Sequence, residues 1–132
     1  MTGWRRRSGA LLFAAAMTAG VTACGGGGDD GGKAYVEPKG PSTETLSFEA
    51  KNFSFTPDKV TADPGIATIK LTAEQGIHDF VFDGAYPGFQ LEADGGGGSQ
   101  SKKIDLKSGK YTFYCSITGH RAQGMEGTLT VK

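Results

Sequence analysis

An all-β sandwich is the fold that this 132-residue sequence predicts. Three features point there. Helical periodicity is missing throughout, short β-rich runs stand in its place, and turn signals separate one run from the next. The runs are "TLSFEA", "KVTA", "ATIKLT", "HDFVFD", "KKIDL", "KYTFYC" and "GTLTV", with "TPD", "DPG", "EQG", "DG" and "KSG" among the turns. Short strands at this spacing predict an antiparallel sandwich of seven to eight strands over residues 44–132. Roughly 90 residues are enough for one modest core.

The first element is of another kind. "MTGWRRRSGALLFAAAMTAGVTAC" has three arginines, an apolar run from Ala10 to Ala16, and then small residues. That is the layout of an export signal over residues 1–23, with an apolar run too short for a permanent membrane span. Its end, "VTAC", resembles the lipobox of bacterial lipoproteins, with Val21, Thr22 and Ala23 before Cys24. The resemblance implies a lipid on Cys24 that anchors the exported protein to the bacterial cell membrane. Residues 24–43 follow as a flexible Gly-rich linker, with a reach on the order of 25 Å.

Loss of residues 1–23 removes Arg5, Arg6 and Arg7 and no acidic residue. The 14 basic residues become 11 against 14 acidic ones, so the mature charge is −3. Nucleic acid is excluded as a partner, because no basic patch exists to neutralise phosphates.

Within the sandwich, period two puts Tyr111, Phe113 and Cys115 on one strand face and Thr112 and Tyr114 on the other. Phe113 is expected in the core and Cys115 pointing inward at the strand's end. Phe48, Phe53, Phe55, Phe80 and Phe82 read as aromatic core packing. The segment "YPGFQLEADGGGGSQ" reads as a long irregular excursion, with Gly95 to Gly98 in a surface loop. Those glycines cradle no phosphate, since no helix or Lys-Ser/Thr follows in the required place.

The chemistry concentrates in "YCSITGHRAQGM", Tyr114 to Met125. Cys115, His120 and Met125 fall five residues apart, and with Cys24 committed to lipid Cys115 has no disulfide partner. Thiolate, imidazole and thioether form a soft donor set that suits copper, whereas zinc gains little from a methionine. His78, the other histidine of the chain, opens the run "HDFVFD" at the same end of the sandwich. Two imidazoles and a thiolate in a plane with a weak axial methionine are the blue-copper arrangement.

These residues resemble the cupredoxins, the family of plastocyanin and azurin. The likeness lies in a histidine at a strand start, then "YTFYC", four residues, a histidine, four residues and a methionine. "NFSFTPDKVTADPG" and "DGGGGSQSKKIDLKSGKYTFYC" extend it over most of Leu46 to Val131. The resemblance implies a Greek-key sandwich with one type 1 copper, bound by His78, Cys115 and His120 with Met125 axial. It implies a monomeric, non-enzymatic carrier of single electrons between redox proteins, such as cytochromes or a membrane oxidase or reductase. His120 and Tyr114 are the candidate electron-transfer ports. A protein for copper storage or delivery is the alternative reading. Two positions depart from the family pattern: Thr118 stands where proline is frequent, leaving an amide free to bond the sulfur, and Asp79 where asparagine is common. Asp79 favours Cu(II) if it lies close to the site and does nothing if it faces solvent.

Overall fold

Alternating residues decide which side of each strand is buried, and β1 (Glu44–Lys51) shows it plainly. Leu46, Phe48 and Ala50 are buried while Ser47 and Glu49 face water. The computed structural model describes residues 34–132; the export signal and Cys24 lie outside the described residues. After β1 come β2 (Ser54–Thr56), β3 (Lys59–Ala62), β4 (Gly65–Ala73) and β5 (Ile77–Phe82). Then follow β6 (Gln90–Asp94), β7 (Gly98–Leu106), β8 (Gly109–Tyr114), a 3-10 turn at Arg121–Gln123, and β9 (Glu126–Val131). One sheet has the order β2-β1-β4-β7 and the other β3-β9-β8-β5-β6. The predicted all-β, two-sheet class is what the chain adopts.

Two details differ from the expectation. The described residues form nine strands, and two pairs, β1 with β4 and β3 with β9, run parallel. β3 belongs to the opposite sheet from β1, β2 and β4, so the chain crosses over and returns beside β1 in the same direction. Alternation reports a strand's buried face and not its neighbour's direction. The other difference concerns the supposed excursion. Within it "QLEAD" is β6, with Leu91 and Ala93 buried between exposed Gln90, Glu92 and Asp94. The loop is shorter than predicted, because Gly98 already pairs with Ala73 as the first residue of β7.

Phenylalanines fill the core. Phe80 stacks on Phe113 at 4.7 Å between ring centroids, and Phe48 meets them at 4.9 and 5.0 Å. All three are essentially inaccessible to water. Such contacts add to area burial and hold β5 and β8 rigidly against the facing sheet.

The N-terminal side of the sandwich also differs from the sequence reading. The linker was expected to run to residue 43, yet from Tyr35 onward it lies against the domain. The Tyr35 hydroxyl donates to the Lys103 carbonyl (3.0 Å), and the Lys103 amide donates to the Glu37 carboxylate (2.8 Å). Lys103 Nζ donates in turn to the Gly40 carbonyl (2.9 Å), and the Tyr35 ring sits edge-on to Phe89 at 5.0 Å. β7 is an edge strand, and this segment satisfies groups that an open edge leaves unpaired. One aromatic residue in a Gly-rich stretch was the only signal of it.

Candidate metal centre

Two adjacent strands part company at one pole of the sandwich, and the site is built in the fork. β5 and β8 pair at Phe82↔Phe113 and Val81↔Tyr114, and toward this pole the backbone ladder goes no further. His78 lies on the core side of β5, in step with Phe80 and Phe82. Cys115 follows directly after β8, and its amide donates to the Met125 carbonyl (3.1 Å) rather than to β5. That bond closes the base of the 115–125 loop. Inside the loop the Met125 amide donates to the His120 carbonyl (3.2 Å), and Gly124 takes a left-handed φ of 95° to end the 3-10 turn.

The ligand-bearing atoms of His78, Cys115 and His120 lie within 4.8 Å of one another. Cys115 Sγ is 3.4 Å from His120 Nδ1, and the two imidazole centroids are 5.0 Å apart. His78, Cys115 and Met125 are fully buried, whereas His120 is half-buried. Residues 42 positions apart in sequence, His78 and His120, thus meet at one end of the sandwich. Both ring nitrogens of His78 are buried without any hydrogen-bond partner. A buried imidazole without partners is costly unless something else binds it. Three such donors facing one point, in soft N and S chemistry, fit a copper ion.

Burial sets the electrostatics. It raises the Cys115 thiol above its ordinary pKa and lowers that of His78. The amide of Asp79, from β5, donates to Cys115 Sγ at 3.5 Å, and the backbone of Ile117 also approaches the thiol. Thr118, whose free amide was expected near the sulfur, is not that donor. Asp79 itself is fully buried, which decides between its two predicted positions. Phe53 is the exception to the phenylalanine core that the sequence predicts. It packs on the core's margin, half-buried, with its ring edge-on to His120 at 5.0 Å.

Arg121, next to His120, is a neighbour of the site that sequence reasoning missed. Its guanidinium lies over the Tyr114 ring and bonds the carboxylates of Asp83 (2.8 Å) and Glu126 (3.0 Å). Tyr114 is half-buried beneath it rather than freely exposed.

A two-sheet sandwich with a His-Cys-His donor set at one pole, two of its members fully buried, defines a small copper-binding protein. The chain belongs to the copper-binding proteins of the plastocyanin/azurin family, the cupredoxins, whose family model it matches over residues 42–132. It is 38% identical over 98 residues to plastocyanin of Dryopteris crassirhizoma, covering 64% of this chain and 93% of that protein. The structure of the oxidised form of that plastocyanin superposes with a TM-score of 0.52 at 30% identity, over 66% of this chain and all of the other. Dithionite-reduced auracyanin from Roseiflexus castenholzii is similar in fold, with a TM-score of 0.59 at 20% identity. That match covers 70% of this chain and 99% of the auracyanin.

Proposed function

We propose that this protein carries single electrons between redox proteins through one type 1 copper. The observation that carries the reading is the convergence of the His78, Cys115 and His120 donor atoms within 4.8 Å, with His78 otherwise unpartnered. His78 and His120 would bind through imidazole nitrogen, Cys115 through thiolate and Met125 through its thioether. When bound, copper supplies a one-electron Cu(II)/Cu(I) couple. The chain's part is to hold the donors still, on β5, at the end of β8 and in a loop closed by backbone bonds, so that little reorganises when charge changes.

Four side chains around the metal leave no coordination position for a substrate, which supports a carrier rather than an enzyme. Storage or delivery is the weaker reading, because ligands that hand metal on are usually exposed and three of these four are buried. The half-buried ring of His120, beside exposed Gly119, Ala122 and Gly124, offers the route for exchange with a partner. The further proposal is of an exported monomer, lipid-anchored through Cys24, that serves cytochromes or a membrane oxidase or reductase at the outer face of the membrane.

Copper titration followed by visible absorption tests the core of this reading. An intense thiolate-to-copper band saturating at one copper per chain, and resisting a chelator, is expected. Absence of the band, or its rapid loss to the chelator, overturns the electron-carrier assignment.

A further inference from the structure

We propose that Asp79 is a positioning residue that fastens the Cys115 end of the ligand loop and, through its charge, biases the bound metal toward the oxidised state. The inference rests on the copper reading above. Asp79 lies on the outer face of β5, opposite His78, and is nevertheless fully buried. One carboxylate oxygen accepts the Ser116 amide. The other accepts the Ser116 hydroxyl and, at 2.9 Å, Gln90 Nε2. The carboxylate therefore continues the β5–β8 connection past the point where the backbone ladder stops at Val81↔Tyr114. The same residue's amide donates to Cys115 Sγ. One residue thus grips both the sulfur and the loop residue after it.

Those three donors are neutral. None of the ion pairs among the described residues includes Asp79, and the ammonium of Lys102 bonds the Gln90 carbonyl (2.6 Å) instead. A buried carboxylate without a cation is expensive, and hydrogen bonds offset only part of the cost. A positive centre in the adjoining fork offsets more. Cu(II) with one thiolate carries a net charge of +1, and Cu(I) with the same ligands carries none. The carboxylate consequently favours the former, by about tenfold in relative affinity for a neighbouring charge in a partly buried setting.

The experiment uses the copper-loaded chain at one fixed pH, with the absorption spectrum and the reduction potential as readouts. Asp79→Asn keeps size and shape and removes the charge. It should retain the blue band and raise the potential by about 59 mV, the equivalent of a tenfold shift for one electron. Gln90→Lys, at an exposed position, brings an ammonium to the untouched carboxylate and should raise the potential in the same direction. Ser116→Ala removes a hydrogen bond but no charge and should move it by less than half as much. Asp79→Asn and Gln90→Lys both within about 18 mV of wild type, a twofold change, overturn the proposal. A Ser116→Ala shift as large as that of Asp79→Asn overturns the role of charge. If Asp79→Asn fails to take up copper, Gln90→Lys decides alone. A wild-type protein without the blue band instead defeats the copper reading itself, and this proposal with it.

Discussion

The guanidinium carbon of Arg121 sits 4.1 Å above the centroid of the Tyr114 ring. Two carboxylates, those of Asp83 and Glu126, hold it there. The lateral face beside the metal centre therefore presents one guanidinium between two carboxylates, a cluster of net negative charge, with the tyrosine ring beneath it. Tyr114→Leu should slow exchange only with partners that dock over this face and leave exchange over His120 unchanged. Stopped-flow rates with several redox proteins check this. Unchanged rates with every one of them remove the Tyr114 route.

Ligand replacements should separate by role. Cys115→Ser abolishes the thiolate-to-copper band, because the chromophore is the sulfur itself. Met125→Leu retains the band and raises the potential, since a weak axial donor that stabilises Cu(II) is lost. Visible spectroscopy and electrochemistry of the two variants read these outcomes directly. Colour in the serine variant contradicts the assignment.

Copper uptake should release a proton. Burial first, with the charge of Asp79 adding, holds the Cys115 thiol above its usual pKa, and burial keeps His78 neutral at pH 7. Thiolate ligation then expels about one proton, so apparent affinity rises about tenfold per pH unit near neutrality. Titration in weakly buffered solution with an indicator dye measures it. Uptake without proton release argues against a thiolate ligand.

Phe53 braces His120 from outside the core. Phe53→Ala should cost about 1–2 kcal/mol, less than a fully buried phenylalanine because the ring is half-exposed. It should also hasten copper loss to a chelator. Urea unfolding and chelator kinetics test the two effects. Stability loss without faster release limits Phe53 to packing.

Gly127 is required for the strand that carries Cys115. A Cβ placed there collides with the Phe113 ring and the Asp58 carbonyl, and the carbonyl already accepts the Thr128 amide at 2.7 Å. Backbone cannot yield as a side-chain tip does. Gly127→Ala should therefore destabilise by about 3 kcal/mol, at the upper end of overpacking costs. A midpoint unchanged in urea refutes the clash.

Much of the architecture was readable because the strands bury one face each. Phe113 and Cys115 fell on the predicted side, and the five-residue spacing of Cys115, His120 and Met125 marked the loop. "QLEAD" escaped because its alternation is carried by one leucine and one alanine among residues of low β-propensity. Parallel neighbours such as Leu46 and Ile69 leave no trace in a single strand's pattern. The burial of Asp79 was also hidden, because it depends on Gln90 and Ser116, which only pairing between strands brings near. Phe53 looked like its core counterparts because composition does not say where a sandwich ends.

The clip between Tyr35, Glu37 and Lys103 has a mechanical consequence. Lys103 pairs with Thr68, about midway along β7, while Gly98 at the metal end pairs with Ala73. Five residues of strand separate Lys103 from that end, a lever arm of roughly 17 Å. A load passed through this clip meets the sandwich at its side, away from the metal pole. A load applied there is borne at mid-strand, and the metal pole stands clear of it.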